Sequence, residues 1–304
     1  MSQRNPQSAP RDTLLHVADL HFWKVTYNPL HLLNKRVLGN FNVWWKRRHQ
    51  FAMDRAAEFV EGLVAAGPKT LLLTGDFTST SLVDEFAMAR AFVDVLREKQ
   101  FDIHAIPGNH DVYTFESLRA LRFEKYFGDC YPSGGLPARV TLPGGTPLIL
   151  VPTVCPNYIS SQGRITNAEV ARTSELLAQS GEVVIVSGHY PLLDDTHAYQ
   201  LTKERRLRNS HTLRKVLGAS GKHIVYIAGH VHRFSYLRDP DFPNLSHLCA
   251  GTFFGRNTRE SIEGEFAEIH VGGGDFTVYR HTFGEHGWRR SVESEFDPFA
   301  DHKA

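Results

Sequence analysis

The sequence predicts an α/β fold built on a largely parallel sheet with crossover helices. Two observations carry this. Apolar runs of strand length recur at 13–18, 70–73, 101–106, 146–153, 183–186 and 224–228. Between most of them lie segments of helical period, at 50–66, 83–99, 115–127, from 166 onward, and 203–217. Strands joined through helices need crossover connections, and those join parallel strands.

The chain of 304 residues is long enough for a substantial core. Its 41% hydrophobic and 22% charged content is that of an ordinary soluble protein. With no internal repeat or linker, it reads as a disordered lead over 1–12, one domain over 13–291 and a loosely held tail over 292–304. Cys130, Cys155 and Cys249 form no disulfide framework or metal knuckle, which points to a reducing compartment. The polar amino terminus lacks a signal-peptide core and no membrane-spanning run follows, so a cytoplasmic protein is expected.

In chain order, the first strand closes on Asp19-Leu20-His21. If extended geometry persists there, carboxylate and imidazole face the same side; a turn-capping Asp beside a surface His is the alternative. Residues 22–49 then combine Phe22, Trp23, Tyr27, Phe41, Trp44 and Trp45 with six Lys or Arg and no acid. From Leu30 the apolar spacing is close to helical. Such a basic aromatic segment can lie in a membrane interface or cover a lipid-shaped pocket, and it can equally be an insertion packed on its own domain.

The strand at 70–73 ends in Thr74-Gly75-Asp76, and the strand at 101–106 ends in Gly108-Asn109-His110-Asp111. An amide oxygen, an imidazole and a carboxylate in succession suit a metal ligand, a proton-transfer group and its orienting partner. Residues 132–145 are rich in turn formers, and Thr166-Asn167-Ala168-Glu169 has capping-box spacing. Arg164, just ahead of that helix start, is either a phosphate contact or a solvated arginine. The strands at 183–186 and 224–228 end in Gly188-His189 and Gly229-His230-Val231-His232, and the runs at 245–249, 262–270 and 275–282 predict antiparallel strands.

Five polar motifs each follow an apolar strand, and functional groups gather at the carboxyl ends of parallel strands. This ordered set resembles the calcineurin-like metallophosphoesterase superfamily, over about residues 13–255. The resemblance implies an αββα sandwich of two packed mixed sheets flanked by helices. It also implies a dinuclear site, with Asp19, His21 and His232 on one metal, Asn109, His189 and His230 on the other, and Asp76 bridging. The mixed imidazole, carboxylate and amide set suits two divalent ions, manganese first, with iron or zinc as alternatives. A bridging water would lose a proton to become the nucleophile. His110 would then act as acid or oxyanion stabiliser, with Asp111 orienting its ring.

Departures from the superfamily's branches narrow the substrate. The serine/threonine protein phosphatases carry Asp-Arg-Gly after their Gly-Asp motif and a glutamate after Asn-His, whereas this chain has Phe77-Thr78-Ser79-Thr80 and Asp111. One lipid A branch commonly has arginine in place of His110. The chlamydial-type UDP-2,3-diacylglucosamine pyrophosphatases keep the histidine and carry a basic aromatic segment similar to 33–40. The expectation is therefore hydrolysis of UDP-2,3-diacylglucosamine, or another phosphodiester, with peripheral contact through 22–49 at the inner membrane face. Cyclic-nucleotide or general phosphodiester hydrolysis is the alternative. Net charge of +1 and basicity confined to particular segments argue against nucleic acid, and a full set of ligand types argues against a non-catalytic scaffold.

Overall fold

Neighbouring leucines in the first strand face opposite ways, and this alternation organises the molecule. The computed structural model describes residues 11–24, 53–157, 160–194, 196, 205–272 and 274–293. In chain order come β1 (Asp12–Val17), a 3₁₀ turn (Met53–Arg55), α1 (Ala56–Ala66), β2 (Thr70–Leu73), α2 (Val83–Glu98) and β3 (Asp102–Ala105). They are followed by α3 (Phe115–Arg119), α4 (Arg122–Phe127), β4 (Ala138–Thr141), β5 (Pro147–Leu150), β6 (Gly163–Arg164), α5 (Asn167–Ala178) and β7 (Val183–Ser187). The remainder holds β8 (Leu207–Arg208), α6 (Ser210–Gly218), β9 (His223–Ala228), β10 (Ser235–Arg238), β11 (Leu245–Cys249), β12 (Gly264–Gly272), β13 (Asp275–Gly284) and β14 (Gly287–Glu293).

These strands make two six-stranded mixed sheets, ordered β14-β13-β12-β1-β2-β3 and β10-β11-β9-β7-β5-β4, rather than one largely parallel sheet. A small parallel pair, β6-β8, stands apart. Leu14 and Leu72 of the first sheet meet Ile185, Val225 and Leu248 of the second in one buried cluster. Leu15 and Leu71, one residue along each strand, turn outward to Phe59 and Leu63 of α1 and Phe86 and Val93 of α2. Val184, Val186 and Tyr226 likewise turn to Val170 of α5 and Leu213 of α6. Period-two alternation thus buries both faces of both sheets, at roughly 1.5–3 kcal/mol per large apolar side chain. The result is the αββα sandwich.

Where pattern and structure differ, local chemistry explains it. β12 pairs antiparallel with β1, so the carboxyl-terminal strands extend the first sheet. The segment 132–145 contains β4, whose pairing with β5 turn-rich flanks concealed. The predicted helix at 115–127 breaks where Leu121 takes φ 48°. The helix predicted over 203–217 starts at Ser210, because Leu207–Arg208 pairs with β6 and Asn209 takes φ 68°. The predicted lead and tail each surrender a little: β1 starts at Asp12, and Val292 of β14 pairs with Tyr279. Of the insert, Phe22 is core, with its ring 5.6 Å from Phe92 and 5.9 Å from Phe254. Residues 25–49 lie outside the described residues.

Candidate metal centre

The loops after β1 and β2 continue to pair beyond the regular sheet. Thr74 N–H donates to Val17 O (3.1 Å), Asp19 N–H to Gly75 O (3.2 Å) and His21 N–H to Asp76 O (2.8 Å). Extended geometry does not persist at Asp19 and His21: φ is 56° and 53°. Asp76, His230 and His232 share this left-handed conformation, at 54°, 69° and 56°. It costs a non-glycine residue of order 1 kcal/mol or more and persists where the surroundings over-determine it. Glycines make the close approach possible, since a Cβ on Gly108 would stand 2.1 Å from Asp76 N and 2.2 Å from its Oδ1.

Two groups of donor atoms result. Asp19, His21, Asp76 and His232 bring one ligand atom each within 4.8 Å of one another, and Asp76, His189 and His230 do the same. Asp76 belongs to both, with Oδ2 3.7 Å from His21 Nε2 and Oδ1 3.5 Å from His189 Nε2. Asn109 Oδ1 completes the second group, 3.1 Å from His189 Nε2 and 2.9 Å from His230 Nδ1. His21 and His232 face each other through Nε2 atoms 2.9 Å apart, and His232, 40% exposed, opens this side to solvent. The seven sequence-predicted ligand positions therefore converge.

Their protonation suits a cation. His189 Nδ1 donates to Thr74 O (2.7 Å) and His230 Nε2 to Arg205 O (3.0 Å), which fixes both tautomers. Burial lowers the His189 pKa to about 4; burial, then His189 and His232, hold His230 well below the usual histidine range. Both rings are then neutral near pH 7 and turn bare nitrogens inward, against the oxygens of Asn109 and Asp76. Lone pairs facing lone pairs are satisfied by a metal ion, so the donor set fits two divalent ions.

His110 adjoins this centre. Its N–H donates to Asp76 Oδ1 (2.8 Å), its ring lies 5.0 Å from that of His21, and it stacks on Tyr113 at 5.3 Å. Its orienting partner is Ser79, whose carbonyl accepts from Nδ1 at 2.6 Å. This corrects the role expected of Asp111, which instead accepts from the N–H groups of Gly108 (2.8 Å), Thr78 (2.9 Å) and Phe77 (3.3 Å). Asp111 thus locks the β2 and β3 loops together, because its carboxylate accepts from backbone N–H groups of both. Burial, then the neighbouring Asp76, push its carboxyl up to about 7, against the pull of those N–H donors.

The Arg164 expectation changes as well. The start of α5 is already closed by Glu169, which accepts from Thr166 N (2.6 Å), while Thr166 Oγ1 accepts from Glu169 N (3.2 Å). An acid there disfavours phosphate at that helix end, and Arg164 stands exposed in β6 instead. Sequence reasoning missed Thr74, Ser79, Arg205 and Thr153, whose hydroxyl accepts from His189 N (2.9 Å). Thr74 and Thr153 could have been flagged by their strand-end positions, whereas the backbone carbonyls that orient rings leave no signal in residue type.

Among solved structures, a dimetal phosphatase from Danio rerio is similar, with a TM-score of 0.61 at 13% identity over 94% of this chain and 100% of that one. A purple acid phosphatase from yellow lupin (Lupinus luteus) seeds gives 0.56 at 9% identity, over 91% of this chain and 53% of that one. At these identities the likeness shows the fold. No curated protein sequence matches the chain significantly. The model of the calcineurin-like phosphoesterase family matches residues 13–234, a span containing all seven convergent donor positions, and the chain belongs to that family of metal-dependent phosphoester hydrolases.

Proposed function

We propose that this phosphoesterase hydrolyses the diphosphate of a nucleotide-linked lipid, UDP-2,3-diacylglucosamine, to UMP and the acylated sugar phosphate, with manganese as its working metal. In this reading Asp19, His21 and His232 hold one ion, Asn109, His189 and His230 hold the other, and Asp76 is shared. The observation that carries the two-metal assignment is the division of the two Asp76 oxygens between His21 and His189. Two such ions would supply Lewis acidity at phosphorus and acidify water. His110, with Nδ1 committed to Ser79, delivers a proton from Nε2 to the leaving oxygen or steadies the charge on phosphorus.

The lipid reading draws support from sequence order. The basic aromatic segment leaves the described chain three residues after His21 and returns just before α1. Among the described residues no helix is long and apolar enough to cross a membrane. The proposed peripheral contact with the inner membrane face runs through 22–49, on the strength of its basic and aromatic composition. A general phosphodiesterase is the second reading, favoured by one observation: all seven donor positions lie outside 25–49. Purified protein supplied with manganese should release UMP from UDP-2,3-diacylglucosamine. Brisk turnover of simple diesters with none of that lipid would defeat the lipid assignment and favour the second reading. Deleting 25–49 should abolish lipid hydrolysis selectively if the first reading holds.

A further inference from the structure

Alternation along β12 and β13 turns Ala267 and Val278 into the interior between the two sheets. By the same period Glu265 and Arg280 face inward, and both are buried. Arg280 Nε donates to Glu265 Oε2 (2.6 Å), and its Nη1 donates to Glu260 Oε2 (2.7 Å). Burial pushes the Glu265 carboxyl up to about 7, even against the attraction of that guanidinium. Apolar residues of similar volume often serve an interior as well as a buried ion pair does. Filling the sandwich therefore does not by itself require these charges.

The groups that the pair touches lie beside two metal-ligand positions. The Arg280 guanidinium carbon is 5.0 Å from the centroid of the Phe234 ring, and Phe234 stands two residues past His232. The Glu265 carboxylate lies against Gly251, where a Cβ would collide with its Oε1. The next residue, Thr252, forms a β-bridge with Ala18, and Phe253 N–H donates to Ala18 O (3.1 Å). Ala18 immediately precedes Asp19. One ion pair thus backs the segments that deliver both Asp19 and His232. Each of those residues has φ 56°, a conformation that persists where the surroundings over-determine it. The other half of the centre has different supports: His189 is held by Thr153 and Thr74, and His230 Nε2 by Arg205 O.

We propose that Glu265 and Arg280 are positioning residues for one metal ion alone, the ion assigned to Asp19, His21 and His232. They act through the Phe234 and Gly251 segments and touch neither ion nor substrate. Both lie beyond the family-matched span 13–234. The proposal rests on the two-ion assignment above and is independent of the substrate.

The test counts ions. Manganese-loaded full-length protein is dialysed against buffers of graded free manganese, and the metal retained per chain is measured by atomic emission. Wild type should fill two sites. In the double variant Glu265→Gln, Arg280→Met, one site should need ~10–100-fold more free manganese while the other is unchanged. Adding His232→Ala should cost little beyond His232→Ala alone, because both changes act on one ligand set, whereas adding Asn109→Ala should weaken both sites. Arg280→Lys, which keeps a cation beside Glu265, should recover part of the loss. Should the double variant not fold, Phe234→Leu removes the ring under the guanidinium and should weaken the same single site. Two sites of unchanged affinity overturn the proposal, as does equal weakening of both, the mark of a general loosening of the interior. A wild type that fills only one site defeats the two-ion assignment itself, and the proposal with it.

Discussion

Asp76 is the residue on which the two metal positions depend together. Its two oxygens divide between His21 and His189, so Asp76→Ala should cost more than the ~10–100-fold lost on removing an outer-shell partner. Bound metal per chain, measured by atomic emission, should fall together with hydrolysis; an alanine variant that keeps both ions would show that Asp76 does not bridge. His110 separates from this behaviour. His110→Ala should retain its metal while kcat falls ~10²–10⁴-fold, most severely for esters with poor leaving groups, which need the proton most. Equal losses for good and poor leaving groups would reassign the ring to charge stabilisation.

At the scale of elements, the centre depends on how closely two loops approach. A methyl group on Gly108 would collide with Asp76 N and Oδ1, so Gly108→Ala must push the β2 and β3 loops apart. A loss of about 1–3 kcal/mol in denaturant unfolding, with weaker metal binding, is expected; an unchanged midpoint would mean that the loops yield without cost. This also shows what the sequence could and could not reveal. The strand ends were legible because apolar runs stop abruptly at Asp19, Asp76, Asn109, His189 and His230. The left-handed turns at Asp19 and His21 were not, because no glycine marks them. Nor was the partition of strands into two sheets, since β12 finds β1 across some 250 residues of sequence, a pairing that no local period encodes.

For the whole molecule, the sandwich interior contains a buried base. His16 follows Leu14 on the inner face of β1, is 0% exposed, and burial lowers its pKa to about 3. Its Nε2 lies 2.8 Å from Thr74 Oγ1. In the unfolded chain a histidine takes its proton near pH 6.5. Between pH 6.5 and about 3 the unfolded state therefore holds one more proton at this residue. Stability from neutral His16 is fully present above that window and declines as pH falls through it, by up to about 1.4 kcal/mol per pH unit. Urea unfolding at pH 7 and pH 5 should show a smaller acid loss in His16→Gln than in wild type. Identical losses would place the acid sensitivity elsewhere.

The position of β12, between β1 and β13, has a consequence for the order in which the chain is made. All seven donor positions, and the whole family-matched span, are synthesised before Gly264. A nascent or truncated chain ending near residue 255 would have every metal residue in hand, yet leave one side of β1 as an open row of N–H and C=O groups, a template for pairing with another molecule. Such a fragment should aggregate despite its complete donor set. Solubility would then come from the last three strands, 30 residues or more downstream of the last histidine of the centre.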